Sequence, residues 1–401
     1  MTGVVLVNEA TQERSHEFTF DGSPVHALEG DTIAAALTRA GIKTFSRSMK
    51  FHRPRGMYCG SGRCNMCSMR VDGIPGVRSC STLSRPGMTV ETERGFPSTN
   101  YDVLSALDHL FPRRLDYRRR FIRPAFMVPF YLWVVRRLAS ANRIPDKDVD
   151  FKPLERKKCD VLVIGQGISG TVASSRIRGR GIRSIMAIDR TSMGESSLSG
   201  TAVGFYEDGS VGVLLDSGIQ IVKARAVLIA TGRQELGLPL VRGDIPGNML
   251  PGAVHQLVAR GIRPGKKAAI IGKNDSKELV LRELRSAGVE IVADVPDASG
   301  IGRLLGHRRI SGIETREKQR IRCDLVVPLG PLVPAVGIAH QAGCELVPVG
   351  EHWCVRTDPE GLTSVAGVYA CGGVAGLTAK EDRIASGLAA GEAILRFLGV
   401  T

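Results

Sequence analysis

Four cysteines fall within one short stretch, Cys59, Cys64, Cys67 and Cys80, in the spacing Cys-x4-Cys-x2-Cys-x12-Cys. Thiolates in that order form the plant-type ligand set of a 2Fe-2S cluster, with three ligands from one loop and the fourth from a returning strand. Structural zinc is the alternative, but it usually takes two short Cys-x2-4-Cys pairs, and this stretch has one. Gly56, Gly60 and Gly62 lie among the ligands, where the absence of a Cβ lets a loop coil tightly and aim its N–H groups at sulfur. Arg53, Arg55, Arg63, Arg70 and Arg78 flank them. Positive charge beside a net-negative cluster favours its reduced state, so a potential above the about −400 mV of plant-type ferredoxins is expected. The competing account has these arginines solvated or paired with a partner's carboxylates.

A second chemistry is written at Gly165-x-Gly167-x-x-Gly170, between the apolar strand Asp160 to Ile164 and a helix-length segment, with Asp189 closing the next strand. Gly165 would permit the tight turn, Gly167 the approach of a pyrophosphate to the helix N-terminus, and Gly170 the helix–strand contact, while Asp189 accepts a ribose hydroxyl. Strand, glycine loop, helix and acid together specify a dinucleotide without separating FAD from NAD. A related unit recurs at Lys267 to Val292, but its loop, Ile271-Gly-Lys-Asn-Asp-Ser276, keeps only Gly272 of the fingerprint. NAD(P) or another nucleotide there is the lesser reading; a lobe retained for architecture or a partner interface is preferred.

These residues need elements to position them. Around Phe18-Thr-Phe20 and Val25-His-Ala27 the alternation predicts a hairpin turning at Asp21-Gly22, and Asp31 and Thr32 offer a cap for a helix from Ile33 to Ala40 that Gly41 stops. Strands at Ser68 to Gly73 and Met88 to Thr92 complete a small β-grasp domain. The cysteine loop lies inside it. From Cys159 onward, strand and helix patterns alternate as βαβ units. The predicted fold class is therefore α/β with an α+β N-terminal domain: a β-grasp, ferredoxin-like domain followed by a fold of two Rossmann-like dinucleotide lobes.

The chain has 401 residues, 43% apolar and 23% charged, which excludes wholesale disorder and allows two or three domains. Nine cysteines, an odd count unevenly spread, do not make a disulfide framework. No secretory signal is read at Met1 to Asn8, and the longest apolar run, Ala125 to Val135, is short for a bilayer and interrupted by Pro129, so a reducing cytoplasm is the expected compartment. The formal charge of +14 attracts anions of any kind. Arg113, Arg114, Arg118, Arg119, Arg120, Arg123, Arg136 and Arg137 form a basic cluster, yet few aromatics interleave and no nucleic-acid fold is evident, so nucleic acid is not an expected partner. Phe126, Phe130, Tyr131 and Trp133 read as core or a subunit contact, with membrane-surface association the lesser alternative. No catalytic residue is assigned, because the eight histidines, His52, His109, His255 and His340 among them, are dispersed. Cys159 and Cys371 read as small buried apolar residues.

Longer segments carry a family resemblance. Phe18-Thr-Phe-Asp-Gly22, Glu29-Gly-Asp-Thr-Ile-Ala-Ala-Ala-Leu37, Arg47-Ser-Met-Lys-Phe-His-Arg-Pro-Arg-Gly56 and Phe96-Pro-Ser-Thr-Asn-Tyr-Asp-Val103 are similar to the α subunits of heteromeric sarcosine oxidase, proline and hydroxyproline dehydrogenase, opine oxidase and hydrogen cyanide synthase. The four cysteines place the resemblance in the 2Fe-2S branch, and it stops short of the folate-binding C-terminal half of sarcosine oxidase α. Val227-Leu-Ile-Ala-Thr-Gly232 and Gly367-Val-Tyr-Ala-Cys-Gly-Gly-Val-Ala-Gly376 resemble the two loops that close over FAD in flavoproteins with two dinucleotide lobes, although Gly373 stands where an Asp commonly contacts the ribityl chain. The resemblance implies 2Fe-2S and FAD as cofactors. Cys59, Cys64, Cys67 and Cys80 would hold iron, and Gly165, Gly167, Ser169, Gly170, Asp189, Arg190, Ala230, Thr231, Gly232, Gly372 and Gly373 would hold FAD. It implies an electron-transfer subunit beside a flavin-containing β subunit that oxidises a C–N bond, with room for a further small subunit. An NAD(P)H-dependent ferredoxin-type reductase and a flavin-free scaffold are the competing functions. The expected division is a 2Fe-2S domain at 1–95, a basic irregular connector at 96–157, an FAD lobe at 158–240 completed by 326–401, and a degenerate second lobe at 241–325. Thr191 to Gly200 reads as a loop where relatives hold more structure, so the first lobe is expected to be trimmed.

Overall fold

The structure is a computed structural model; it describes residues 15–48, 52–93, 95, 98–99, 101–106, 125–130, 154–182, 184–190, 198–215 and 218–400. The chain divides into two compact units, Met1–Val149 with Gly237–Gly330, and Asp150–Leu236 with Pro331–Thr401.

In the first unit, strands Ser15–Phe20 and Ser23–Leu28 form the expected hairpin. Asp21 and Gly22 both take positive φ (47° and 77°), the geometry that matches strand twist in a two-residue turn. Thr32 Oγ1 accepts the Ala35 amide at 3.2 Å and so caps helix Ile33–Arg39. Strand Thr89–Glu91 pairs parallel with the first strand and antiparallel with Ser68–Val71, which pairs in turn with Ile74–Arg78. The helix packs Ile33 and Leu37 under this five-stranded sheet with Phe18, Met69 and Val90, all buried. Each such side chain contributes roughly 1.5–3 kcal/mol of burial energy.

The second dinucleotide lobe belongs to this same unit. Its parallel strands run Glu290–Val295, Lys267–Gly272, Leu325–Leu329. Helix Lys277–Ser286 buries Val280, Leu281 and Leu284 and exposes Arg282 and Arg285, a helical stripe. Helix Pro251–Val258 buries Ala253, Val254 and Leu257 in one core with Met57, Cys59, Cys67 and Cys80.

The second unit holds a six-stranded sheet in the order Ser210–Leu215, Leu198–Phe205, Ile185–Asp189, Glu155–Ile164, Gly218–Ile229, Val368–Ala370. All neighbours are parallel except Ser210–Leu215. Helices Ile168–Ile177 and Lys380–Phe397 share one core, with Gly387 so placed that a Cβ would come 2.6 Å from the Ser169 carbonyl oxygen.

Two expectations change. The interval after Asp189 is less trimmed than its length suggests: Leu198 already pairs with Ile188, and three strands fill it up to Ile229, while 191–197 lie outside the described residues. Phe126 and Phe130, read as core or a subunit contact, are exposed, so the core half of that reading is not met. Of the rest of the connector, the whole arginine cluster, His109, Tyr131 and Trp133 lie outside the described residues. Among the described residues no helix is long and apolar enough to cross a membrane.

Candidate functional site

The fold brings Cys59, Cys64, Cys67 and Cys80 together. Cys59 is in hydrogen-bond contact with Cys64 and Cys80, and Cys80 also with Cys67. Three are buried and Cys64 is half-buried. Among the described residues no group of three or more His, Cys, Asp or Glu is arranged to hold a single metal ion. The contacts link the four thiols in one series, Cys64–Cys59–Cys80–Cys67. Gly60, Gly62 and Asn65 take positive φ (65°, 72° and 59°), which coils the loop. The coil aims the Ser61 amide at Cys59 Sγ (3.4 Å) and the Gly62 amide at Cys80 Sγ (3.2 Å). These contacts split the four thiols: the bond from Cys64 holds the Cys59 thiol well below the usual thiol range and the bond from Cys80 brings Cys67 down to about 7, while the same contacts push Cys64 and Cys80 up. On this donor set a 2Fe-2S cluster fits.

The flanking arginines are built into the loop. Arg55 Nη1 donates to Met66 Sδ at 2.6 Å, between two ligands, and Arg53 and Arg55 approach Asp244 at 3.9 and 3.8 Å. Arg78 Nη1 donates to the Gly76 carbonyl and Arg70 Nη1 to that of Gly73. Asp244 lies beside two of these arginines, and Arg63, Arg70 and Arg78 lie on the ligand-bearing strands and loop. A redox titration followed by electron paramagnetic resonance (EPR) should therefore give a midpoint above about −400 mV. A value at or below that would remove the arginines from the account. His52 is buried with Nδ1 at 2.8 Å from Asp102, beside buried Arg47, which donates to the carbonyls of His52 and Thr99. This network braces the hairpin ahead of the cysteine loop. His255 pairs with Glu283 at 2.6 Å.

In the second unit, every expected dinucleotide contact lies at the carboxyl ends of the parallel strands, where α/β sheets open their ligand crevice. Gly165 has φ 102°, and a Cβ there would overlap the Ala230 carbonyl; one at Gly170 would overlap the Gly165 carbonyl. Gly167 and Gly232 differ: a Cβ at either meets nothing within 4 Å, so these two positions face open space. Asp189 Oδ2 accepts the Gln166 amide at 2.7 Å, which turns the carboxylate into the glycine loop. Arg190 follows it, half-buried. Thr231 Oγ1 donates to the Ala335 carbonyl at 2.9 Å, and the Gly372 amide to Ser386 Oγ at 3.0 Å. Ser169 packs so tightly on Gly372 that a Cβ there would overlap its hydroxyl. The ADP half of a dinucleotide fits this cradle. At Gly373 a Cβ would lie 2.9 Å from Arg233 Cγ, so an arginine stem occupies the space where the resembled loops place an Asp.

The second lobe repeats the first glycine of the turn, Gly272 (φ 93°) lying against the Leu329 carbonyl as Gly165 lies against that of Ala230, but Asn274 occupies the rest, its Oδ1 accepting the Ser276 amide at 2.9 Å and its Nδ2 donating to the Gly330 carbonyl at 2.8 Å.

Sequence reasoning missed Gln256 and Ala253, which touch the cysteine loop from a helix about 190 residues away in the chain; no motif marks them. Of the other cysteines, Cys323, Cys344, Cys354 and Cys371 are buried, whereas Cys159, expected to be buried, is only half-buried; desolvation pushes Cys159 up to about 11 and Cys323 and Cys371 up to about 12. At pH 8 a disulfide thiol reagent should leave Cys323 and Cys371 unlabelled until denaturant is added. Native labelling of Cys371, read by peptide mass, would contradict that burial.

Residues 13–95 match the family described as 2Fe-2S iron-sulfur cluster binding domain. Sarcosine oxidase subunit alpha of Rhizobium meliloti is 29% identical over 461 aligned positions, covering 96% of this chain and 46% of that protein, so the chain spans under half of that relative's length. Hydrogen cyanide synthase subunit HcnA of Pseudomonas aeruginosa is 40% identical over 73 residues, 18% of this chain and 69% of that one. The crystal structure of L-proline dehydrogenase from P. horikoshii superposes with a TM-score of 0.70 at 17% identity, covering 98% of this chain and 75% of that one, which shows a shared fold. With its cysteine loop and its dinucleotide lobes in place, the chain belongs to the oxidoreductase family of sarcosine oxidase α, proline dehydrogenase, opine oxidase and hydrogen cyanide synthase subunits, in the branch that carries a 2Fe-2S domain.

Proposed function

We propose that this chain is the electron-transfer (α) subunit of a heteromeric, FAD-dependent amine or amino-acid dehydrogenase or oxidase acting on CH–NH bonds. The observation that carries the reading is the presence in one polypeptide of a four-thiol cluster loop and an open dinucleotide cradle. When bound, FAD supplies two-electron chemistry and the 2Fe-2S cluster single-electron transfer.

The chain's own residues bind and orient. Gly167 and the first turn of helix Ile168–Ile177 receive the pyrophosphate, Asp189 a ribose hydroxyl, and Thr231, Gly232, Gly372 and Gly373 line the flavin end. Cys59, Cys67 and Cys80 are sealed in the core, so exchange with an external partner runs over the Cys64 edge, where Arg63 and Asn65 are exposed. The reading requires a β subunit with its own flavin to oxidise the substrate, in a cytoplasmic complex that can include a further small subunit.

Co-purification with the neighbouring subunits, followed by anaerobic addition of sarcosine, proline, hydroxyproline and opines, tests it. Reduction of the cluster's EPR signal by one of them is the expected result. Failure of every candidate to reduce either chromophore in the assembled complex would overturn it, and rapid bleaching of the isolated chain by NADH would favour the reductase alternative.

A further inference from the structure

Helix Pro251–Val258, a helix of the second dinucleotide lobe, packs against the cysteine loop. Gly60, next to Cys59, lies so near it that a Cβ would come 2.6 Å from Ala253 Cα and 2.8 Å from the Gly252 carbonyl oxygen. The Leu250 amide, at the helix start, donates to the Tyr58 carbonyl at 2.8 Å. One turn further on, buried Gln256 donates through Nε2 to the carbonyls of Cys80 (2.7 Å) and Gly60 (3.3 Å). Beyond the helix, the Arg260 carbonyl accepts from Arg39 Nη2 at 2.9 Å while Arg260 Nε donates to the Gly30 carbonyl at 3.1 Å.

We propose that this helix is the seat of the 2Fe-2S cluster and that Gln256 is its positioning residue. By holding the carbonyl of the ligand Cys80 and that of Gly60, which shares a peptide plane with the Ser61 amide donating to Cys59 Sγ, one side chain orients the backbone at one ligand and beside a second. Gln256 Oε1 is buried without a hydrogen-bond partner among the described residues, an unfavourable state for an amide. What the residue contributes over an apolar one is therefore its two donated bonds. The lobe thus contacts the cluster loop directly, and groups outside the ligand set are known to tune both the stability and the potential of metal centres.

The inference rests on a bound cluster and is independent of which donor reduces it. The test uses the full chain reconstituted with iron and sulfide, with Gln256→Met to remove the donors at similar volume and Gln256→Glu as a second variant of the same shape. Both should alter the g-values of the dithionite-reduced signal. At fixed solution potential the reduced-to-oxidised ratio should shift about tenfold, 59 mV for a one-electron couple, and iron release to a chelator should be roughly tenfold faster. Gln220→Met, a buried glutamine of the other unit, should change none of these. If Gln256→Met does not fold, Gln256→Glu is read in the same way. Wild-type g-values, potential and iron release in the folded variants would overturn the seat assignment alone. A wild-type chain that takes up no cluster would instead overturn the cluster reading on which it rests.

Discussion

Cys80→Ser should abolish the cluster: purified anaerobically, the variant is expected to lack the reduced-state EPR signal and to transfer electrons more than ~100-fold more slowly in the complex, because a ligand loss exceeds the 10–100-fold effect of groups outside the ligand set. Cys80 is the ligand that supports most of the rest. Its thiol contacts those of Cys59 and Cys67, its Sγ accepts the Gly62 amide and its carbonyl accepts from Gln256. A serine hydroxyl keeps the shape but is a poor, hard ligand for iron. Cys371→Ser is the matched control, since Cys371 is equally buried but stands in the other unit. It should leave the cluster signal intact and lower stability by about 1–3 kcal/mol through an unpaired buried hydroxyl. A Cys80→Ser chain with wild-type iron content and signal would remove that residue from the ligand set.

Gly170→Ala should weaken dinucleotide binding ~100-fold or more, about 2.7 kcal/mol, and lower the melting temperature as well. Its methyl group would overlap the Gly165 carbonyl and press on Ala230 Cβ at 3.2 Å, so helix Ile168–Ile177 must retreat from the strand that it caps. Gly167→Ala separates packing from binding. There a methyl group meets nothing of the protein, so folding should be unchanged, yet the methyl projects where a pyrophosphate must come close. The expected result is wild-type melting with weakened FAD retention, measured by flavin fluorescence after gel filtration. Undiminished retention in Gly167→Ala would show that the cradle is not the site of the dinucleotide.

Much of this was legible because the relevant chemistry is local. Three ligands share one loop, and Gly165, Gly167 and Gly170 share one turn, so spacing alone carries their geometry. Caps and turns were equally readable: Thr32 and Asp21-Gly22 act on residues within a few positions of themselves. Reading failed where partners are remote or where length stood in for structure. The short interval after Asp189 reads as a loop, yet pairing with the strand edge extends Leu198 onward as sheet. The aromatics Phe126 and Phe130 read as core or a subunit contact, and their exposure shows that residue type does not choose between the two, because burial is a property of neighbours.

By itself, the sequence determined the fold class and the N-terminal 2Fe-2S domain, and it is the source of the ligand set and dinucleotide turn proposed above, since each depends on residue type at short separation along the chain. Only tertiary structure decided that the degenerate lobe shares a core with the ferredoxin domain, that Gln256 and Ala253 meet the cysteine loop, and that Arg233 fills the space at Gly373. Those contacts join residues far apart in the chain, and they arise from shape fit between folded surfaces, for which no single residue carries a signature.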